Sequence, residues 1–542
     1  MSDMGRWAIF SLLEEELASS IRSAIVFGSA ANEAIFVTAE DQVYGLGSNA
    51  CSCLGLGASG GSGSGQSLAP VRIESLCGKG ITSLAFGGGP HVLALAANGD
   101  LYSWGHNAHC QLGNGNSNPG LMPSLVSASL SAHRVEQVTC GHRHSLAVTD
   151  TGEVFAWGDN SRGQVGSGAT SSTQSVPKKI NRGLAGRRVS AVAAGQDFSL
   201  AVTSSGELFT WGYNGNGQLG VGTTAEAASP VRLLELQGLV VAAVAAGFAH
   251  SLALTDEGAL YAWGSNSCGQ LSLPPASSRQ PNQLVPVRTA ENLGRIIDVG
   301  AVHSCNMTAV KTAEGVVWMW GQVRGQSLSQ PVKTPFAVVD DAFACFATPP
   351  VSCRPILFAS PGRETVSESV RVAFDDASTA DVTFEVEGRL IHAHSAILRI
   401  RSAHLRSMLA PKQWTEGSGQ SIKMREYSYP VFRAFLAWLY SDRVDLPPED
   451  AIGLLDLANS YCEDTLKDLC AQIIRRGITV DNAMMLYAAA VRFNALDLEE
   501  FCFHFCLNHL TAVVQTEAFQ QLDESSVKHF IPAAAKAGAF RH

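Results

Sequence analysis

The sequence predicts an all-β propeller over the first two thirds of the chain, followed by an α/β domain and a short α-helical tail. One observation behind the propeller is an aromatic-x-Trp-Gly phrase that returns at spacings of 53, 54 and 52 residues. Another is a turn-rich composition, with 52 glycines and only 16% charged residues. A change after residue 370, from short apolar runs to apolar residues at helical spacing, predicts the second fold.

The repeated phrase centres on a tryptophan followed by a glycine, and a second phrase such as His144 to Thr149 precedes most copies. Short apolar runs separated by glycine turns are typical of antiparallel strands. A period of about 50 residues is typical of propeller blades, since one blade cannot bury both of its faces alone. We interpret the tryptophans as packing residues. A weaker copy of the repeated phrase lies at Tyr44 to Asn49. The pairs are Trp104 and Gly105, Trp157 and Gly158, Trp211 and Gly212, Trp263 and Gly264, and Trp320 and Gly321.

These phrases resemble the repeat of the regulator of chromosome condensation family, over about residues 25 to 350. Six hallmark repeats are counted, whereas the resemblance implies a propeller of seven blades. It therefore favours a seventh blade closed by chain from both ends, with Pro331 to Lys333 and Ala342 to Ala347 as the closing segments.

The pattern after residue 380 predicts a strand pair and then helices. Asp381 to Val386 alternates like a strand, Arg389 to Ala393 returns, and a helix is expected from His394 to Met408. Further helices are expected over residues 428 to 440 and from 447 towards 469, the second with proline and acid in its first turn.

This block resembles a BTB/POZ domain, and the resemblance rests on Asp381-Val382, His394 to Leu398, Arg406 to Met408 and Phe435 to Tyr440. It implies that Asp381, His394 and Met408 belong to the fold or to a homodimer interface. Asp381 matches the buried acid of the family, but Ser395 stands where the family often has a basic residue. A folding role and an interface role therefore both stay open for Asp381.

The whole chain is similar in order to the family of proteins with regulator of chromosome condensation repeats and a BTB domain. The resemblance implies five segments. They are an N-terminal helical segment over 1–24, the propeller over 25–350, a linker over 351–365, the BTB/POZ domain over 366–476 and a helical BACK-like region over 477–542.

Composition and charge bound the class of function. The net charge of −10 and the lack of a basic arm argue against direct nucleic-acid binding. Thirteen cysteines without the spacing of a disulfide framework indicate reduced thiols. The sequence contains no uninterrupted apolar stretch of about 18 residues, so we expect no membrane insertion. We expect an intracellular protein, cytoplasmic and nuclear.

No motif predicts a catalytic residue, a cofactor or a metal site. Gly215-x-Gly217-x-x-Gly220 fits a dinucleotide fingerprint as text, but it is one copy of the repeat turn. The run Ser59 to Gly65 lacks the lysine of a phosphate loop and is interpreted as a flexible insertion. We also expect structural roles for four repeat histidines, one in each blade, and for three residues on one helix face. These residues are His91, His144, His250 and His303, and Cys502, Cys506 and His509.

One short segment points to a partner. Trp414-Thr-Glu416 lies between the helix ending near Met408 and a strand expected at Ser421 to Met424. The BTB resemblance implies a cullin-3 contact there, with Trp414 filling a groove and Glu416 orienting the loop. The alternative is a plain surface loop with one exposed aromatic residue.

Three functions stay open. The first is a non-enzymatic substrate adaptor of a cullin-3 ubiquitin ligase, with a client protein of unknown identity on the propeller and a BTB domain that forms a homodimer and binds the cullin. The second is a cell-cycle or chromatin regulator, or a Ran-type guanine nucleotide exchange factor. The third is a scaffold without a ligase role, associated with vesicles.

Overall fold

The structure is a computed structural model that describes most of the chain. The described residues are 1–49, 51–57, 66–126, 128–170, 172–273, 282–358, 370–409, 421–442, 444, 446, 448–492, 495–520 and 524–536. The chain divides into two compact units, residues 1–361 and 362–542.

The first unit begins with two short 3-10 turns, Met4–Arg6 and Ala8–Leu12, and the helix α1, Glu15–Ser20. Strand β1 then starts at Ile21, inside the segment expected to be helical. The strands run in chain order as follows: β1 Ile21–Phe27, β2 Glu33–Thr38, β3 Val43–Ser48, β4 Gln66–Arg72, β5 Ile81–Gly87, β6 His91–Ala96, β7 Leu101–Gly105, β8 Gly120–Leu125, β9 Val135–Cys140, β10 His144–Thr149, β11 Val154–Asp159, β12 Thr173–Lys179, β13 Val189–Ala194, β14 Phe198–Thr203, β15 Leu208–Gly212, β16 Ala227–Arg232, β17 Val241–Ala246, β18 His250–Thr255, β19 Leu260–Ser265, β20 Asn282–Thr289, β21 Ile296–Gly300, β22 Met307–Thr312, β23 Val317–Val323 and β24 Gln326–Lys333.

These strands form six antiparallel sheets of four consecutive strands each, beginning with β1 to β4 and ending with β21 to β24, and we number them sheets 1 to 6 in chain order. Within a sheet the middle strands are buried on both faces, as in β10, whereas the fourth strand is largely exposed, as in β24. This gradient explains why the apolar runs of the sequence are continuous in the middle of each repeat. Each Trp–Gly pair ends or nearly ends the third strand, where Gly158 has a φ of 106°. A side chain there would come within 2.5 Å of the Arg143 carbonyl oxygen, so only glycine fits.

The sheets are arranged as a propeller. Residues of the first strand of all six sheets line one central cavity of ≈ 360 Å³, from Ile25 in sheet 1 to Asp298 in sheet 6. The six counted repeats are thus six four-stranded sheets. The expectation of a seventh blade is wrong for the described residues. Pro331 to Lys333 lies in β24 of sheet 6, and Ala342 to Ala347 lies in and just after a helix, α2, Val339–Phe346.

The ring closes between sheets 6 and 1 by a different device. Helix α2 packs in one apolar cluster with residues of both sheets, such as Phe343 with Met307 and Ile35. A short strand, β25, Ile356–Leu357, then pairs antiparallel with β1. Residues 351–358 are therefore part of the propeller and not a linker. Sequence reasoning missed this because a two-residue strand carries no periodicity.

The second unit begins with a helical turn at residues 370–372 and a three-stranded sheet. Its strands are β26 Val382–Val386, β27 Arg389–Ala393 and β28 Ile422–Met424, with β28 parallel to β26. The helices are α3 Ser395–Arg401, α4 Ala403–Met408, α5 Tyr429–Ser441, α6 Pro448–Ser460, α7 Asp464–Gly477, α8 Val480–Arg492, α9 Leu496–Asn508, α10 Leu510–Val513, α11 Glu517–Gln520 and α12 Glu524–Lys536.

Two expected helices are each broken in two. The helix from His394 to Met408 is interrupted at Ser402, whose hydroxyl caps α4 by accepting a hydrogen bond from the Leu405 N–H. The helix expected from 447 towards 469 ends at Ser460, and Cys462 follows with a φ of 57°. Apolar spacing continued through both breaks, so periodicity alone did not reveal them.

Candidate interaction surfaces

The repeat tryptophans join neighbouring sheets and are fully buried. In four joints the indole Nε1–H donates to the carbonyl oxygen of a glutamine in the preceding sheet: Trp157 to Gln111 at 2.8 Å, Trp211 to Gln164 at 2.9 Å, Trp263 to Gln218 at 2.8 Å and Trp320 to Gln270 at 2.9 Å. These glutamines belong to the Gly-Gln-Leu-Gly-like turns. The recurrence of the turn was visible in the sequence, but its role as the acceptor was not.

A histidine and a hydroxyl residue complete the joint. At the joint between sheets 3 and 4, the Ser199 hydroxyl donates to the Gln164 carbonyl oxygen at 2.9 Å. Since that proton is used, the His144 Nε2–H donates to Ser199 Oγ at 3.0 Å. His91 Nε2 with Ser145 Oγ and His250 Nε2 with Thr308 Oγ1 are paired at the same distance of 3.0 Å, but His91 differs in that its Nδ1 also lies 2.9 Å from the Gly89 carbonyl oxygen. Burial lowers the pKa of His91 to about 4 and of His144 and His250 to about 3, so these imidazoles are neutral at pH 7.

His303 does not belong to this series. In sheet 3, His144 is paired opposite Gly158 of the Trp–Gly phrase. In sheet 6, the residue paired opposite the equivalent Gly321 is Met307 and not His303. His303 lies four residues earlier and lines the central cavity, with its ring 5.4 Å from the Phe86 ring. The sequence phrase around His303 resembles the others, but the turn before β22 is longer, which shifts the register.

The closing joint is held by charge. The Arg354 guanidinium donates to Asp298 of β21 at 2.8 and 2.6 Å and to Asp340 of α2 at 3.1 to 3.3 Å. Ser352 N donates to the Val26 carbonyl oxygen at 2.9 Å, and the Val26 N–H donates to Ser352 Oγ at 3.1 Å. No repeat signal predicted these residues, because each occurs once.

The loops after the first strands form a surface on which neighbouring sheets differ chemically. The residue two places before β6, β10, β14 and β18 is Gly89, His142, Gln196 and Phe248 respectively, and we call these four residues the rim. Backbone hydrogen bonds from Gly89 N to the His142 carbonyl oxygen and from His142 N to the Gln196 carbonyl oxygen join three of the rim positions, whereas Phe248 N donates to the Cys305 carbonyl oxygen at 3.0 Å. Phe248 is 39% exposed. Because the fold fixes the backbone here but not these side chains, the rim can carry specificity.

Charged and titratable side chains surround the His142 part of the rim. His109 Nδ1 lies 3.8 Å from Asp159 Oδ2, and the Arg162 guanidinium stacks 5.2 Å from the Tyr213 ring centroid. Burial and the nearby Arg143 lower the pKa of His142. Burial and Asp159 raise the pKa of Asp197. The part of the rim around His142 is therefore polar and carries charges of both signs.

In the second unit, Asp381 anchors the start of α3. Its carboxylate accepts hydrogen bonds from the Ser395 N–H at 2.6 Å and from the Ser395 hydroxyl at 2.5 Å. The neighbouring His394 lies between two hydroxyls, Tyr440 at 3.0 Å from Nδ1 and Thr379 at 3.0 Å from Nε2. The serine side chain at 395 thus adds an uncharged second donor to the backbone N–H that already bonds Asp381.

Met408 closes α4 and is partly buried against the core of the second unit. Trp414 and Glu416 lie outside the described residues, as do Ser59 to Gly65. The elements on either side of Trp414 and Glu416 are described. α4 ends at Met408, and β28 begins at Ile422. Within α4, the exposed imidazole of His404 stacks on the Tyr461 ring at a centroid distance of 3.8 Å.

The remaining sequence candidates have structural positions. Gly217 and Gly220 lie in a turn between β15 and β16, with no helix after them. Cys502 and Cys506 are fully buried in the core of the second unit. Among the described residues no group of three or more His, Cys, Asp or Glu side chains is placed to hold a metal ion. Nor does any helix in that part of the chain have the length and apolarity to cross a membrane.

Comparison with known proteins decides the family. Residues 29–372 match the family model described as the RCC1-like domain. This chain belongs to the RCC1-like domain family. Residues 372–478 match the BTB/POZ domain, so the RCC1-like propeller is followed by a BTB/POZ domain, as the sequence predicted.

Curated relatives match part of the chain. The chain is 40% identical over 250 residues to the human "Probable E3 ubiquitin-protein ligase HERC6", covering 45% of this chain and 24% of that protein. It is 34% identical over 311 residues to "Ultraviolet-B receptor UVR8" of Arabidopsis thaliana, covering 57% of this chain and 67% of that protein. The chain thus spans only about a quarter of HERC6.

A solved structure supports the propeller fold alone. The crystal structure of Prp20p from Saccharomyces cerevisiae matches with a TM-score of 0.50 and 23% identity, over 61% of this chain and 80% of that chain.

Proposed function

We propose that this protein is a non-enzymatic, homodimeric substrate adaptor of a cullin-3 ubiquitin ligase. The observation that carries the proposal is the presence of an RCC1-like propeller and a BTB/POZ domain in one chain. The propeller holds a client protein, while the BTB/POZ domain pairs with a second copy and binds the cullin. Ubiquitin transfer then takes place on other subunits, and the adaptor contributes proximity and orientation.

The cullin contact is proposed at the chain between α4 and β28. A buried aromatic anchor contributes most of the binding energy in many interfaces, and Trp414 is the aromatic residue of this segment. His404 and Met408 of α4 border the segment on its N-terminal side. The similarity to HERC6, which is named as a probable E3 ubiquitin-protein ligase, supports a ubiquitin-related role for this chain.

Binding of purified full-length protein to the N-terminal domain of cullin-3 tests this contact. The double variant Trp414→Ala with Glu416→Ala is expected to weaken binding more than about tenfold, or about 1.4 kcal/mol, as measured by calorimetry. Met485→Ala, which removes an apolar side chain that is 47% exposed on α8, is the control and is expected to bind normally. Equal affinity of the double variant and the wild type would refute the contact.

Dimerisation is proposed through the apolar surface of the BTB/POZ domain. Val372 and Ile400 are 72% and 73% exposed, so both apolar side chains are available for burial against a second copy. The full chain is expected to sediment as a dimer at micromolar concentration, and Ile400→Asp is expected to sediment as a monomer. A monomeric wild-type protein would contradict the proposal, whereas Met485→Asp should remain dimeric.

The client site is proposed at the rim. Phe248 is its apolar contact and His142 and Gln196 are its polar contacts. Proximity labelling in cells with Phe248→Ser is expected to lose specific neighbours that the wild type retains. The control is Leu234→Ser, which alters a side chain that is 63% exposed between β16 and β17. Identical labelling by Phe248→Ser and the wild type would place the client elsewhere.

A further inference from the structure

The joint between sheets 1 and 2 departs from the others. Strand register places Glu33 opposite Gly47, where His144 stands opposite Gly158. Cys53 takes the place of the glutamine, since its carbonyl oxygen accepts from Trp104 Nε1 at 2.6 Å. Val92, directly after the first residue of β6, stands where Ser145 follows His144. The joint therefore keeps the tryptophan but has neither the histidine nor the hydroxyl.

The carboxyl group of Glu33 is only partly hydrogen-bonded in this joint. The residue is only 6% exposed, and its Oε2 atom has no hydrogen-bond partner among the described residues. Gly28 lies so close to the carboxyl group that a Cβ atom at position 28 would be 2.9 Å from Oε2 of Glu33. Among the described residues, a side-chain hydrogen bond with Ser48 is the interaction that favours the charged form.

Among the described residues, no group that acts on Glu33 supplies a positive charge. Besides Ser48 on β3, the titratable neighbours are the thiols of Cys51 and Cys53, and the Glu33 charge raises the pKa of both. The Cys53 thiol donates to the Pro90 carbonyl oxygen at 3.1 Å, which ties the turn of sheet 1 to sheet 2. A negative charge on Glu33 is therefore buried without a counter-charge and is costly.

We propose that the joint between sheets 1 and 2 is a pH-operated hinge, which is closed while Glu33 is protonated and loosens when Glu33 ionises, exposing Cys53. Burial raises the pKa of Glu33 to about 7, which places this change in the physiological range.

The sign of the effect is opposite to that of the histidine joints. A carboxyl group whose pKa is raised in the folded state stabilises the fold at low pH and loses that contribution as the pH rises through about 7. The buried histidines have lowered pKa values, so their joints lose stability when the pH falls below the ordinary value of 6.5. The joint between sheets 1 and 2 is thus expected to open as the pH rises through about 7, whereas the histidine joints weaken as the pH falls.

The test is the alkylation rate of Cys53 in the full-length protein, followed by mass spectrometry between pH 6.0 and pH 8.5 with iodoacetamide. Fragment spectra separate Cys53 from Cys51. Dividing the Cys53 rate by the rate at the exposed Cys462 removes the ordinary increase of thiolate with pH. Cys140, which is buried at the end of β9 in sheet 3, controls for a general loosening of the propeller. The normalised Cys53 rate is expected to rise about tenfold, following the ionised fraction of a group with a pKa of about 7, while that of Cys140 stays flat.

Two variants sharpen the test. Glu33→Gln keeps the shape without a charge and is expected to abolish the rise. The pair Glu33→His with Val92→Ser restores the residues of the regular joints and is expected to keep Cys53 protected at every pH. A flat normalised rate in the wild type overturns the proposal by itself, even if neither variant folds. An equal rise in wild type and Glu33→Gln also overturns it.

Discussion

The joint between sheets 3 and 4 and the joint that closes the ring perform the same task with different chemistry. The first uses neutral hydrogen bonds among His144, Ser199, Gln164 and Trp211, all buried. The second uses the Arg354 guanidinium between two carboxylates, together with a helix and a two-residue strand. Its bonding partners Val26 and Ser352 are 326 residues apart in sequence.

The difference shows what repetition can and cannot provide. A repeated joint needs only partners that every copy already contains, so it can be neutral and local. The closing joint brings the two ends of the propeller together, and its closure entropy has to be offset by contacts that occur once. We therefore expect a single substitution in the closing joint to cost more than one in a regular joint.

The largest effect is expected from Arg354→Ala. It leaves Asp298 and Asp340 without their shared cation in a half-buried position. The expected loss in the free energy of unfolding is about 2–3 kcal/mol, between the values for exposed and buried ion pairs. Calorimetric melting of the full chain measures it. Arg162→Ala, which breaks the exposed pair with Glu226 at 2.9 Å, is the control and should cost less than about 1 kcal/mol. Equal costs would remove the distinction between the joints.

An intermediate effect is expected from Ser199→Ala, with Ser251→Ala as its matched control. Both hydroxyls are buried and donate to a glutamine carbonyl oxygen, at 2.9 and 2.7 Å. Ser199 also accepts a hydrogen bond from His144. In the joint between sheets 4 and 5, to which Ser251 belongs, Phe198 takes the place of that histidine, so Ser251 has no such donor there. We expect a loss of about 1–2 kcal/mol for Ser199→Ala, and a smaller one for Ser251→Ala, because only the first leaves a buried imidazole N–H unpaired. Urea unfolding curves compare them, and the reverse order would contradict the hydrogen-bond assignment.

The smallest effect at pH 7 is expected from His144→Phe, since Phe198 already fills the equivalent place in sheet 4. Its cost should stay within about 1 kcal/mol, and Ser199 keeps its bond to Gln164. The variant should, however, lose less stability than the wild type as the pH falls from 6.5 towards 4. His144 contributes about 1.4 kcal/mol per pH unit there, because only the unfolded chain binds its proton. Melting curves at several pH values measure the slope, and equal slopes would show that His144 is not held neutral.

The regular part of the propeller was predictable because its contacts repeat. The Trp–Gly phrase predicted the third strands, and the apolar phrase beginning at His144 predicted the second strands. The six counted repeats matched the six sheets, whereas the seventh blade implied by the family resemblance is absent from the described residues. Helix α2 and β25 lie at the closure of the ring, and neither resembles the repeat. His303 was misplaced for a related reason, because a longer turn moves Met307 into the histidine position.

The second unit was predictable as a domain but less so in detail. Its strand pair followed from alternation, whereas the breaks at Ser402 and Cys462 depend on a cap and a left-handed residue within continuous apolar spacing. The Ser395 departure from the BTB pattern was visible in the sequence. Only the structure showed that Ser395 donates twice to Asp381. The hypothesis for Trp414 and Glu416 stays a prediction.

The pairing of β25 with β1 has a consequence for synthesis of the protein on the ribosome. Sheet 1 emerges first, yet its inner edge cannot be covered until residues 356 and 357 have left the exit tunnel. Five further sheets are translated in the meantime, and each can dock on the one before it. The nascent propeller is therefore expected to grow as an open arc with an exposed strand at its oldest end, which makes β1 the natural site for protection by a chaperone.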